Sequence, residues 1–574
     1  MEYNGKILIK NFEDLRGKRA ALDKVFEDCN AFATPSKFGI GELPQNSQQQ
    51  KKKRPREIVT DYVGNANYTF ARGFFSNLCP PSVPWFSIAP ASQYEENEGF
   101  KSFLNQATQM YYEKLYAATN FATEIFSATE NLGCIGTICT SVEYDDDDMI
   151  LKFKTHDIGE FYVEESRKGV KDTVYRCIPF TALQILNTFN AEGDKIPEKI
   201  REYANSLEND KSGKVFEVIH YVAPNRNRRY GDDGRPELNK KNAPFVSIYV
   251  DKDSKEIIRF SGFERNPYTV GCIDTPVHGV YSDSPTQRAL RTAKYLNKGF
   301  TALAKATQIH IEPPVALDLA AYNNLIPEYF FDPNSVNLYD SNGGRFNAPQ
   351  FYTPNGNLPF GMDFLDRLTK TIDNYFSTDL FTMITNLNTQ SGRQRTAYEI
   401  QQLVNEKNNM ILPLVARFLD EFLSPLLVNG FLMLLDRGEF GTLNAGINRE
   451  MLKIDYFSPL ALAAKRSKIS GTMAAVEQIT PLLQIMPEAL DVLNADELVR
   501  DIFETSGANT KHLRTKSEME KLRADRAAQQ QQLMQAQQLA DVAKSQNLTG
   551  PVDDTSLAAQ LSNGGMIWQK NLMH

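Results

Sequence analysis

Residues 284–308, SPTQRALRTAKYLNKGFTALAKATQ, decide how this chain is read. Ser284 followed by Pro285 is a helix start: a serine hydroxyl accepts from the first unpaired N–H groups, and proline fits the first helical position, where no donor is needed. The 25 residues contain no further proline and would extend roughly 37 Å at 1.5 Å per residue. At 100° per residue Leu290, Ala293, Leu296, Phe300, Leu303 and Ala304 share one side. Arg291, Lys294, Lys298 and Lys305 gather within roughly 60° on a flank. One side therefore packs. The other is a basic stripe, which reads first as the wet face of a helix and, as the functional alternative, as a guide for phosphates.

Working outward, Glu312-Pro313-Pro314 ends the rod, and a stretch rich in Pro, Asn and Gly follows, too long for a plain connector and so expected to be a small lobe. A second amphipathic helix is predicted from Gly361 to about Thr385, with Met362, Leu365, Leu368, Ile372, Tyr375, Phe376 and Leu380 as its stripe. Rod, lobe and returning rod make a hairpin with a tip. Next comes a polar loop, Asn386 to Arg395 (NLNTQSGRQR), before Thr396 and Glu399 form a capping box for a new helix. Arg393 and Arg395 on that loop read either as ordinary solvated arginines or as contacts to a moving partner.

Residues 397–437 are expected to form kinked apolar helices, broken at Pro413 and Pro425 and stopped at Gly438. The most apolar part, Met410 to Leu435, carries Arg417, Asp420, Glu421 and Asn429, so it is read as buried helix short of a membrane span. Beyond Asp455 helices are predicted around 460–476, 481–493, 495–504 and 511–545. The last offers only a thin seam, Leu513, Met519, Leu522 and Leu533, which needs a packing partner.

Toward the N-terminus, residues 44–56 (PQNSQQQKKKRPR) read as a linker or arm behind a small helical segment. Its Lys51 to Arg54 run reads as a solvated hinge, the alternative being contact with DNA or a membrane. Helices are expected over 57–78 and 98–131, and strands over 134–144, 149–155, 160–163, 173–177, 215–221, 245–250 and 256–260. This middle region is α+β. The acid run Asp145 to Asp148 lacks calcium-loop spacing and reads as a hairpin turn.

At 574 residues the chain calls for three or four packed regions. A net charge of −8 argues against a surface that grips nucleic acid throughout, yet suits a channel that a polyanion slides past. Six cysteines without a Cys-x-x-Cys pair, and a start without an apolar leader, point to a reducing cytoplasm. No phosphate-binding Gly-x-x-x-x-Gly-Lys-Ser/Thr run, no His/Cys spacing for zinc and no Gly-x-Ser-x-Gly elbow occurs. No enzyme, cofactor or metal site is expected.

Several segments together resemble the head-to-tail connector (portal) family of short-tailed phages. These are Asp61 to Ser87 (DYVGNANYTFARGFFSNLCPPSVPWFS), the Ser284-Pro285 helix leading to Pro313-Pro314, Thr396-Ala-Tyr-Glu399 with Leu419-Asp-Glu421 before Pro425-Leu426, and Tyr456 to Lys465 (YFSPLALAAK) with Glu477, Gly507 and 513–532. Val280-Tyr281-Ser282-Asp283 stands where a Tyr-Gly pair is common. The resemblance implies a mainly α fold with an α+β wing, a helical stem hairpin, a clip and a helical crown, assembled as a ring of commonly twelve subunits. On this chain it gives an N-terminal arm at 1–56, wing at 57–283, stem helices at 284–308 and 361–385, and clip at 309–360. Residues 386–455 become tunnel loop and wing helices, 456–545 crown and 546–574 a flexible tail. It also implies double-stranded DNA passing through the ring, with Asn386, Gln390, Arg393, Gln394 and Arg395 as tunnel candidates and Arg291, Lys294, Lys298 and Lys305 as stem-lumen candidates. Terminase, tail adaptors, and major capsid and scaffolding proteins are the implied partners, with assembly in the host cytoplasm, a place at the capsid portal vertex and no membrane. The alternatives are another virion component, such as a tail adaptor or internal core protein, and a DNA-processing enzyme.

Overall fold

The structure is a computed structural model that describes residues 3–37, 57–81, 83–94, 97–205, 214–229, 239–274, 279–318, 332–333, 335–339, 350–351, 358–379, 415–441, 447–457, 496 and 516–546. The helices are α1 (Gly5–Ala33), α2 (Tyr62–Leu78), α3 (Glu98–Ala117), α4 (Phe121–Cys134), α5 (Ala182–Thr188), α6 (Glu198–Asn205), α7 (Pro285–Ile311), α8 (Leu358–Phe376), α9 (Val415–Asp436) and α10 (Lys516–Gln546). The strands are β1 (Phe86–Pro90), β2 (Thr137–Asp145), β3 (Ile150–His156), β4 (Phe161–Glu164), β5 (Thr173–Thr181), β6 (Val215–Pro224), β7 (Phe245–Asp251), β8 (Ile257–Phe263), β9 (Tyr268–Cys272), β10 (Val315–Asp318), β11 (Val336–Tyr339), β12 (Gln350–Phe351) and β13 (Leu452–Tyr456). About half of the described residues are helical and a fifth are in strands. The described residues thus form a mixed α/β architecture, helical for about half of their length with several small sheets.

Each strand expected in the middle region is present, because its apolar residues alternate and pack on two different layers. The antiparallel sheet β4-β5-β6-β7-β8 turns Tyr175, Cys177, Ile219, Ile248 and Val250 toward Leu8, Ile9 and Phe12 of α1. Its other face carries Phe216, Val218 and Ile258 against α5 and α6. Neighbouring residues of β6 thus serve opposite layers, as a period of two requires. Helix α1 lies in the segment expected to stand apart as an arm, but its inner face is built into this body.

A second antiparallel sheet, β3-β2-β9, joins α2, α3, α4 and α9 in the main core. The single helical block expected over 98–131 is two helices. Asn120 sits at the break and is occupied across the chain, accepting from Phe153 N at 2.9 Å and donating to Phe153 O at 2.7 Å. Cys134, expected to open a strand, closes α4 instead. The strand begins only after Gly136, whose φ of +88° suits a residue without Cβ.

Helix α9 runs unbroken past Pro425. Pro425 has no N–H, so the carbonyl one turn back loses its donor. The backbone meets this with a π turn, Phe418–Leu423, closed by Ser424 N donating to Leu419 O. This replaces the expected break. Among the described residues α9 is also the one helix long and apolar enough to cross a membrane by length and composition, correcting the expectation that its charges disqualify it. Its apolarity has a nearer explanation, since 72% of that window is buried in the core. Pro413 and the helices expected over 460–476 and 481–493 lie outside the described residues.

Between α7 and α8 the expected small lobe contains a three-stranded sheet, β11-β10-β12, parallel on one side and antiparallel on the other. Residues 468–574 form a separate compact unit. Within it α10 exposes Leu533 and Met534, and Arg523 makes a two-pronged pair with Asp496 at 2.6 and 2.7 Å.

Trp85 is fully buried, stacks between Phe121 and Tyr456 and donates to the Tyr116 hydroxyl at 2.8 Å. Trp85→Ala should cost roughly 3–5 kcal/mol of stability, read as a lower urea midpoint for loss of far-ultraviolet circular dichroism.

Candidate functional site

The helix hairpin is the feature with a functional shape, and its root shows why it stands where it does. Ser284 caps α7 by accepting from Gln287 N at 3.0 Å, and its hydroxyl donates to Cys134 O at 2.7 Å. Thr286 donates to Gly133 O at 2.9 Å, and Ser282 N donates to Thr137 Oγ1 at 3.0 Å. A Cβ on Gly136 would sit 2.8 Å from the carbonyl oxygens of Ser282 and Asp283. The first turn of α7 is thereby grafted onto the α4–β2 turn, with Ser282, Ser284 and Thr286 all buried.

Above the root the two rods are antiparallel and close. Gly299 of α7 faces Leu365 of α8, and a Cβ there would come within 2.6 Å of Leu365 Cδ2. Gly361 of α8 in turn faces Leu303 of α7. Further ties hold the base of the hairpin. Asn297 accepts from Val59 N and Thr60 N and donates to Glu57 O, Tyr62 donates to Asp373, and Lys294 pairs with Asp28 of α1 at 2.6 Å.

One more residue joins these parts. Arg19 of α1 is almost completely buried, its guanidinium lying 3.8 Å over the Tyr162 ring. It donates to Phe161 O at 2.6 Å, to Asp23 at 2.7 Å and to the Tyr281 hydroxyl at 3.3 Å. Tyr281 also accepts from Val163 N at 3.2 Å. α1, the five-stranded sheet and the approach to α7 therefore share one buried cation. Sequence reasoning missed it, because an arginine four residues before an aspartate on a polar helix looks like a surface pair.

Of the sequence-predicted residues, Arg291, Lys298 and Lys305 lie exposed on the outer flank of α7 as the 100° spacing requires. Lys294 is drawn aside to Asp28. The loop candidates Asn386, Gln390, Arg393, Gln394 and Arg395 lie outside the described residues. The acid run is a turn that binds the protein's own cations: Lys152 pairs with Asp145 and Asp148, and Arg437 with Asp146. Among the described residues no group of three potential metal ligands occurs.

The buried histidines belong to a polar network between the two larger sheets. His220 shares hydrogen bonds with Tyr268 at 2.7 Å and Ser247 at 2.9 Å and stacks on Tyr249. His156 bonds Ser141 at 2.9 Å and lies 3.5 Å from Glu160. Burial, opposed by Glu160 and aided by the Arg176 charge, holds the His156 imidazole down to about 4. Burial also pushes His220 well below its ordinary value, with Arg176 and His156 adding to it. The network is a structural mortise rather than an acid–base pair.

A sequence model of the family described as Bacteriophage head to tail connecting protein matches residues 6–513. The chain belongs to this family. The connector is 25% identical over 567 residues to the portal protein of Salmonella phage epsilon15, covering 97% of this chain and 98% of that one. It is 23% identical over 555 residues to a probable portal protein of Bordetella phage BPP-1, covering 96% of each. It is thus a phage portal or head-to-tail connector, a structural virion protein rather than an enzyme, and its family implies an oligomeric ring at the portal vertex.

The two histidines give the connector an acid limit. Their neutral forms are favoured by the fold, so their stabilisation is full above about 6.5 and is lost as pH falls below it, for His156 through about 4, when the unfolded chain takes up protons the fold refuses. For His156 the loss amounts to roughly 3 kcal/mol at most. Thermal melts between pH 7 and pH 4 should show a falling midpoint, and His156→Gln should flatten the fall.

Proposed function

We propose that the connector forms a closed ring of commonly twelve copies at one capsid vertex, through which double-stranded DNA is packaged and later ejected. The observation that carries this reading is the α7–α8 hairpin. Two long antiparallel helices with a β lobe between them, grafted at the base onto an α+β body, make a wall segment for a tube and a docking tip in one piece of chain. In this reading residues 57–283 and 386–455 are the wing and its helices, 284–308 and 361–385 the stem, 309–360 the clip, 456–545 the crown, and 1–56 and 546–574 the two ends.

The clip would receive the terminase during packaging and tail adaptors afterwards, while major capsid and scaffolding proteins surround the wing. Assembly would take place in the host cytoplasm, without a membrane. The loop at 386–395 would meet DNA in the tunnel. A basic stripe on a stem helix has two fates in a ring, toward the DNA or toward the next subunit, and Arg291, Lys294, Lys298 and Lys305 are the residues concerned. Net negative charge over the chain suits passage without sticking.

Purified protein viewed by negative stain, with its mass measured in solution, should give closed rings with a central hole and about twelve copies; a monomer or dimer under all assembly conditions would overturn the reading. Replacing both Arg393 and Arg395 by Ala should impair DNA packaging or retention with ring assembly intact, and unchanged packaging and retention would remove the loop from the tunnel.

A further inference from the structure

We propose that the two outer edges of the α7–α8 hairpin are the complementary halves of a subunit seam, with Lys298 on α7 of one copy facing Asp366 on α8 of the next. This rests on the ring reading above and names the contact that would build the stem wall.

The charge distribution is uneven between the two rods. α7 carries Arg288, Arg291, Lys294, Lys298 and Lys305 and not one carboxylate. α8 carries Asp363, Asp366 and Asp373 along with Arg367 and Lys370. Contacts already described fix which way each rod is turned. α7 gives Gly299 and Leu303 to α8, Ala289, Ala293 and Leu296 to the core, and Asn297 to residues 57–60. At 100° per residue this leaves Lys298 and Lys305 on the side away from α8. α8 gives Gly361 and Leu365 to α7, Ile372 and Phe376 to the core, and Asp373 to Tyr62. By the same spacing Asp363 and Asp366 lie on the side away from α7, together with Arg367 and Lys370, so this edge mixes both signs of charge. One copy therefore has a cationic edge and, on the opposite side of the same hairpin, an edge that bears carboxylates.

Two unlike edges on one subunit suit a head-to-tail contact that closes into a ring, whereas a twofold contact would set cation against cation. The register makes the match specific. With Gly299 opposite Leu365 and Leu303 opposite Gly361, Lys298 stands level with Asp366. For a ring axis parallel to the hairpin, rotation keeps every residue at its height and brings the neighbour's Asp366 to the height of Lys298. Several of the other charges are already occupied, while Arg291, Lys305 and Lys370 are further exposed cations on the two rods. Asp363 pairs with Arg367 at 2.9 Å, and Lys294, level with Lys370, pairs with Asp28. Among the described residues neither Lys298 nor Asp366 has an ion pair, and both are exposed. Tyr295 borders the cationic edge and Phe360 lies beside Asp363 on the other, both exposed, which gives the seam apolar area to bury.

The test is a charge exchange in the full chain: Lys298→Glu, Asp366→Lys and the double variant, each followed by solution mass and negative stain at low and high salt. Each single reversal should weaken every seam roughly tenfold or more and deplete closed rings at low salt, the double variant should restore them, and the contrast should shrink as salt screens the pair. Circular dichroism melts check that the exposed substitutions leave the subunit folded. Single variants that assemble like the unaltered chain, or a double variant no better than the singles, would overturn the seam while leaving the ring in place. If Lys298→Glu alters DNA passage alone and not assembly, that too overturns the seam, because the lysine then faces the channel. An unaltered chain that never closes into rings would remove the seam and the ring reading together.

Discussion

The architecture hangs on a junction where a helix is rooted in a turn of another element. Ser284 both caps α7 and donates to the last residue of α4, Thr286 donates one residue earlier, and Gly136 leaves room for the chain to pass. These groups are buried, so none can exchange its partner for water. A net hydrogen bond is worth only about 1 kcal/mol, but an orphaned buried carbonyl costs roughly 1–3 kcal/mol. The direction in which α7 leaves the body is held by that asymmetry. Arg19 reinforces the same junction from α1 through Tyr281.

Much of this is legible in the amino-acid sequence. The stripe from Leu290 to Ala304 and the one from Met362 to Phe376 told of two rods that pack on one side, and the lobe between them was marked by its prolines and length. The longer strands of the five-stranded sheet, β5 to β8, were legible because each is long enough to show alternation. Others were not. β1 and β13 are five residues each and pair with one another across more than 350 positions of chain, so neither carries its own evidence. β9 is buried at every position, which erases the alternation that marks a half-exposed strand.

The candidate site was legible as a pattern and hidden as a set of partners. Helical spacing put Arg291, Lys294, Lys298 and Lys305 on a flank, and they are there. It could not say that Asp28, 266 residues away, claims Lys294. Nor could it say that the histidines, which in isolation invite ideas about acid–base chemistry, are spent on Tyr268, Ser247 and Ser141. Pro425 makes the same point for the backbone: a proline is a local signal, and a π turn is a local answer that the neighbouring core residues permit.

Helix α1 also sets the order in which the molecule can be completed. It leaves the ribosome before the other described elements, and its apolar face, Leu8, Ile9, Phe12 and Phe26, has no cover of its own. That cover consists of β4, β5, β6 and β7 for the first three and the core around Tyr281 for Phe26, some 150 to 255 residues later in synthesis. An element made before its cover is thus among the last to be buried. Contacts of such long sequence separation form slowly, and exposed apolar surface on a waiting chain invites association with other nascent chains. Folding yield should therefore be governed by how well α1 is shielded while the five-stranded sheet is being made, which is a question of timing and chaperone supply rather than of final stability.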